Sequence, residues 1–263
     1  MRDIVLHVSG LYFSYDRLEV LKGLDMDCER GRLYCVIGPN GCGKSTLVKN
    51  MTGILSPAKG QIFIEGRDIR SLKHKERARI IAYVPQETVA YFDFTVFDIV
   101  SMGRNPYHSG LDSLNREDVR IIEKAMDQTG VSSLRDKCIN ELSGGEKQSV
   151  IIARALAQDT DIILMDEPVS SLDINHQVEI MDTVKKLTKQ GKTVVCVLHD
   201  LNLAAQYADE LVLIHGGKVV SKGNAEQVLT VERISLVYHV DVLVEHNLSA
   251  DRRIILPLSK NHP

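Results

Sequence analysis

The sequence has no excess of charge of either sign: 32 Lys and Arg stand against 35 Asp and Glu in 263 residues, a formal net charge of -3. A nucleic-acid binder carries a basic surplus or stripe, so nucleic acid is excluded as the expected partner. Apolar runs stop far short of the ~20 residues that span a bilayer; Thr193 to Leu198 and Ile162 to Met165 are among the longest. Residues Met1 to Leu11 lack the basic start, apolar stretch and small-residue cleavage site of a secretory signal. These absences predict a cytoplasmic chain. Cys28, Cys35, Cys42, Cys138 and Cys196 are odd in number, have no C-x-x-C spacing and sit mostly in apolar runs, which excludes a disulfide framework. His7, His74, His108, His176, His215, His239, His246 and His262 lack zinc-ligand spacing and read as structural or solvated.

What is present is a core and a rhythm. Hydrophobic residues make up 44% of the chain, and strand-length apolar runs alternate with longer amphipathic stretches, the pattern of an α/β fold with a mainly parallel central sheet. Val5 to Ser14 and Leu18 to Cys28 predict N-terminal antiparallel strands. Leu33 to Ile37, Gln61 to Glu65, Ile80 to Val84, Ile162 to Met165 and Thr193 to Leu198 follow as strands. Helices are expected over Ser45 to Gly53, Arg116 to Thr129, Gly145 to Gln158, Ile174 to Gln190 and Leu201 to Ala208. Gly216-Gly217 signals a hairpin, and a second strand pair is expected over Val240 to Glu245 and Arg253 to Pro257. From Thr95 to Leu142 the strand signal disappears. A single domain over 1–263 is therefore expected, with an inserted helical subdomain at about 95–158 and a C-terminal extension at about 231–263. Lys73 to Arg79 reads as an exposed helix face.

Gly38-Pro39-Asn40-Gly41-Cys42-Gly43-Lys44-Ser45-Thr46 follows an apolar strand and opens a helix, the setting that the G-x-x-x-x-G-K-[ST] pattern requires. Glycines let successive backbone N–H groups turn inward, and the helix start adds its positive end. Lys44 would reach the β- and γ-phosphates, and Ser45 would ligate Mg²⁺. A second acidic element is then needed. Asp166 ends an apolar strand where ligands of open α/β sheets bind and is the natural metal partner; Glu167 would polarise water toward the γ-phosphate. Cys42, beside Lys44 and a helix start, is expected to have a lowered thiol pKa and to react readily. Ser143, Gly144, Gly145 and Glu146 have the spacing of a capping box; the other reading of the same four residues is a second anion-binding helix start, so that ATP is gripped from two sides.

Leu142-Ser143-Gly144-Gly145-Glu146 just upstream of the Asp166-Glu167-Pro168 strand end resembles the signature of ABC ATPases, and the resemblance covers nearly the whole chain. It implies a P-loop NTPase fold, ATP and Mg²⁺ as ligands, and hydrolysis of ATP to ADP and phosphate. It places Tyr15 on adenine, Gln86 on the metal and attacking water, Ser171-Leu172-Asp173 at a loop facing a second subunit, and His199 on the γ-phosphate. The implied ATP site is shared by two antiparallel copies, with Lys44 of one facing Ser143 of the other. Val100 to Tyr107 and the tail Val237 to Val242 are similar to stretches in the ATPases of ferric siderophore, haem and cobalamin importers. The implied partners are integral membrane permease subunits and, indirectly, a substrate-binding protein, with the chain peripheral on the inner face of the membrane. Tyr91, Phe92, Phe94 and Phe97 read either as core or as the contact for a permease helix. The rival is an ABC ATPase without a permease, serving DNA repair, translation or cofactor assembly; the coiled-coil insertion, fused second ATPase or basic patch that would mark it is not seen in the sequence.

Overall fold

The computed structural model describes residues 3–86, 94–109, 113–247 and 252–259. They fall into two compact units, one made by the chain up to 71 and from 195 onward, the other by 72–194. No helix among the described residues is long and apolar enough to cross a membrane.

In the first unit, β1 (Ile4–Tyr15) and β2 (Leu18–Glu29) form an antiparallel pair, and β1 pairs on its other side with β4 (Lys59–Ile64), which carries the short β5 (Arg67–Asp68). The entirely buried β3 (Leu33–Ile37) runs into α1 (Lys44–Met51). A strand with no exposed face belongs in a parallel arrangement covered on both sides, and β3 pairs in parallel with β9 (Glu210–His215), which turns at Gly216-Gly217 into the antiparallel β10 (Lys218–Gly223). The tail adds α8 (Ala225–Val228), α9 (Val231–Tyr238) and the hairpin of β11 (Val242–Asn247) with β12 (Arg252–Pro257). It is tied down by Asn202, in α7 (Leu201–Tyr207), whose side chain exchanges two hydrogen bonds with the Ile255 backbone, at 2.8 and 3.1 Å.

The second unit starts at α2 (His74–Ala78) and holds the parallel pair β6 (Ile81–Val84) and β7 (Ile162–Asp166), with Ile81 opposite Ile162 and Val84 opposite Met165. Between them lie α3 (Val96–Ser101), α4 (Arg116–Gln128) and α5 (Gly144–Ala157), joined by short 3₁₀ turns; Thr95 to Leu142 contains no strand among its described residues, as expected. A buried ion pair organises these helices: Arg104 Nε donates to Asp118 at 2.9 Å while its Nη1 holds the Ala157 carbonyl at 2.9 Å. Arg104 and Asp118 are 6% and 2% exposed, so removing either would strand a buried charge, which costs about 3–5 kcal/mol. Helix α2 is exposed as expected, yet its cations are engaged: Lys75 donates to the His108 carbonyl and Arg79 to that of Pro106. After β7 the chain forms α6 (Ile174–Lys189) and β8 (Thr193–Val197), which leads back to the first unit.

Candidate active site

In the first unit the Gly38–Thr46 segment forms a tight loop over residues 38–43 and then the first turn of α1. Glycine is required at its first position: φ at Gly38 is 150°, and a Cβ there would lie 2.2 Å from the Ile214 carbonyl oxygen. Helix α1 begins after Gly43 with no side-chain cap and no acid in its first turn. Its positive end is thus left for an anion. Lys44 is 5% exposed and folds back over the loop, donating to the carbonyls of Gly38 at 2.8 Å and Pro39 at 3.0 Å. Leu198 N–H donates to the Val36 carbonyl, so β8 ends beside β3 and delivers His199 exposed next to the strand that feeds the loop. Tyr15, at the end of β1, is 45% exposed and meets the Phe13 ring edge-on at 4.9 Å between centroids, which leaves aromatic surface to stack.

In the second unit β7 carries Asp166, 1% exposed, to its carboxyl end, with the Tyr83 hydroxyl 3.5 Å from its Oδ2. Burial, then the Asp166 charge, pushes the Tyr83 phenol well above its ordinary value. Glu167 has φ 52°, a left-handed conformation rare outside glycine and common where side chains are aimed for function. It turns the carboxylate away from the strand: Gln86 Nε2, just past β6, donates to Glu167 Oε2 at 2.7 Å. Ser143 caps α5, accepting from Glu146 N–H at 3.3 Å and donating its hydroxyl to Glu146 Oε2 at 2.7 Å, while its own N–H donates to the same carboxylate oxygen at 2.8 Å. These bonds hold the Glu146 carboxyl below the usual carboxylate range. Ser143 and Gly144 are exposed and Gly145 is buried. One unit thus brings together the phosphate loop, Lys44 and His199; the other brings together Gln86, Asp166 and Glu167.

A family model described as ABC transporter matches residues 21–170. The chain belongs to the ABC transporter ATP-binding family. It is similar to the achromobactin transport ATP-binding protein CbrD of Dickeya dadantii, 36% identical over 96% of this chain and 94% of that protein. The ferric enterobactin transport ATP-binding protein FepC of Escherichia coli is 35% identical over 100% of this chain and 98% of FepC. Among solved structures, an ABC transporter in an inward-facing conformation superposes with a TM-score of 0.86 at 29% identity, covering 98% of both chains. The α/β P-loop fold and the ATPase activity expected from the motifs are those of this family: the chain binds ATP and hydrolyses it.

Within this ABC ATPase one residue stands differently from the sequence expectation. Cys42 is 6% exposed, and burial raises its pKa against the lowering effect of Lys44 and the loop amides. The reactive thiol expected from charge proximity is therefore corrected to a buried, protonated one, because desolvation of the thiolate outweighs the nearby ammonium. Tyr238, which ends α9, has its hydroxyl buried against the Gly38 amide and Cys42, and burial pushes its phenol up; the C-terminal extension thus backs the phosphate loop. His176, read from the sequence as structural or solvated, lies against Gly145. Of the aromatic cluster, Phe94 is 38% exposed and Phe97 carries the Arg135 guanidinium 3.9 Å above its ring. Tyr91 and Phe92 lie outside the described residues.

Proposed function

We propose that the chain is the ATP-hydrolysing subunit of an importer for an iron chelate, haem or cobalamin, working as a homodimer on the cytoplasmic face of the membrane beneath a separate permease that receives cargo from a substrate-binding protein. The observation that carries the catalytic part is the Gln86 to Glu167 hydrogen bond at 2.7 Å, which joins the turn after β6 to the carboxylate at the end of β7. The phosphate loop from Gly38 to Thr46 binds the triphosphate through backbone N–H groups, and Lys44 exchanges its carbonyl partners for the β- and γ-oxygens. Glu167 orients water for in-line attack on the γ-phosphorus, and His199 steadies the γ-oxygens. Tyr15 stacks on adenine. Ser143, Gly144, Gly145 and Glu146 close the site from the second copy.

Ser45, Asp166 and Gln86 offer only oxygen donors for a metal, a donor set that suits a hard divalent cation that retains water and bridges phosphates. Mg²⁺ would supply charge neutralisation on the β- and γ-phosphates. The 1–263 chain acts as one catalytic domain, with the helical segment at about 95–158 and the 231–263 extension as additions to it. The names of CbrD and FepC, which span nearly the whole chain, support the iron-chelate cargo. Reconstitution with permease and binding protein tests the reading. ATP-driven uptake of a ferric siderophore is expected, with Glu167→Gln keeping ATP binding but losing uptake; transport of an unrelated solute instead would reject the cargo.

A further inference from the structure

Among the histidines outside the residues given roles above, His7 lies on Asp27, His108 on the buried Asp118, His215 faces His239, and His176 lies between α5 and α6. Only the last touches two functional segments at once. Asp173 caps α6, accepting the His176 backbone N–H at 3.0 Å on Oδ1 while its Oδ2 lies 2.8 Å from the ring Nδ1. The neighbouring Gln177 donates to the carbonyls of Val169 and Leu172 at 3.2 and 3.0 Å, so the turn that ends in Asp173 is pinned to the first turn of the helix. The opposite edge of the His176 ring fills the space above Gly145: a Cβ on that glycine would lie 2.5 Å from Cδ2 and 2.8 Å from Nε2. A side chain at Gly145 would therefore displace the imidazole. This contact joins the Ser143–Glu146 helix start to the first turn of α6.

We propose that His176 is a positioning residue for ATP hydrolysis, tying the Ser171–Asp173 turn to the Ser143–Gly145 helix start so that the two segments are presented to a second copy of this chain as one rigid edge. The inference rests on the proposed role of Ser143 to Glu146 in closing the site of the second copy. The charged groups facing the ring are Asp173 and Glu179 of α6 and Glu146 of α5, all acidic, and the Asp173 hydrogen bond raises the imidazole pKa above its ordinary 6.5. The ring also borders a cleft of 530 Å³ that reaches Ser149 and Glu179, so it exchanges protons with solvent. The charged imidazolium holds Asp173 best, and the tie loosens as pH rises through the elevated pKa.

The test compares steady-state hydrolysis and fluorescent-nucleotide binding in wild type, His176→Ala and His176→Asn, with melting curves to confirm folding. His176→Ala should lose about tenfold in kcat, the size of one hydrogen bond to a charged group, with nucleotide affinity within about twofold of wild type. His176→Asn, whose amide reproduces the donor to Asp173, should recover most of kcat but lose the decline that wild type shows above the ordinary imidazole range. A well-folded His176→Ala chain with wild-type kcat overturns the proposal, as does a His176→Asn chain no more active than His176→Ala. Ser143→Arg, measured alongside, separates the two levels of inference. If it hydrolyses like wild type, the underlying reading of the helix start fails whatever His176 does; if it is inactive while His176→Ala is normal, only the positioning role fails.

Discussion

Helices α1 and α5 both begin in a glycine-rich turn, and the sequence suggests an anion site at each; their first turns are nevertheless built in opposite ways. Helix α1 starts without a side-chain cap or an acidic residue, and the cation Lys44 lies over its loop. Helix α5 caps itself: Ser143 and Glu146 exchange hydrogen bonds, and a carboxylate occupies its positive end. A self-capped helix start is stable alone and presents Ser143 and Gly144 as an edge, whereas an uncapped one is completed by ligand phosphate. On the proposed function, the difference gives α1 the primary grip on ATP and α5 a contact made from the second copy.

The strongest way to break this comparison is Lys44→Ala. Loss of a cation aimed at transferring phosphoryl oxygens is expected to lower kcat/KM by about 10²–10³, read by steady-state hydrolysis; near-normal turnover would remove α1 from the primary role. Alkylation of Cys42 sharpens the same side. With its pKa raised by burial, the thiol should label more slowly than an unperturbed peptide thiol, as measured by mass spectrometry, and faster labelling would show the loop to be open. On the α5 side, Ser143→Ala removes the cap and should cost about 1 kcal/mol of stability, a small shift in thermal melting. Glu146 titrates below the usual carboxylate range, so its contribution to folding is complete above its unfolded pKa and fades as pH falls through the lowered folded value. The melting difference between wild type and Glu146→Ala should therefore close in acid, and a difference that persists there would show that the capping carboxylate is not its source.

Strands β3, β7 and β8 were legible because each is a short apolar run buried along its whole length, and a continuous apolar segment bounded by polar residues announces that environment. The 3.6-residue pattern likewise marked α4 and α6 to within a residue or so of their ends. Lys44, Asp166 and Glu167 stood out in the sequence because a phosphate loop needs an acidic strand end to complete it, and Asp166 does end β7. Cys42 was misread because sequence shows which charges are near but not how much solvent remains. The settings of Tyr238 and His176 were invisible for a related reason: each lies against a glycine remote in sequence, Gly38 and Gly145 respectively. Two glycine-rich turns advertise close approach, and nothing in the linear order names the residue that approaches.

The central claim, that an α1 start and an α5 start from different copies jointly grip one ATP, is tested most directly by mixing Lys44→Ala chains with Ser143→Arg chains. Each variant alone is expected to be inactive. Heterodimers place both lesions in one site and leave the other intact, so the account predicts that hydrolysis returns in proportion to the heterodimers formed. A mixture that exchanges subunits, shown by differently tagged chains co-purifying with ATP bound, yet stays inactive would contradict it.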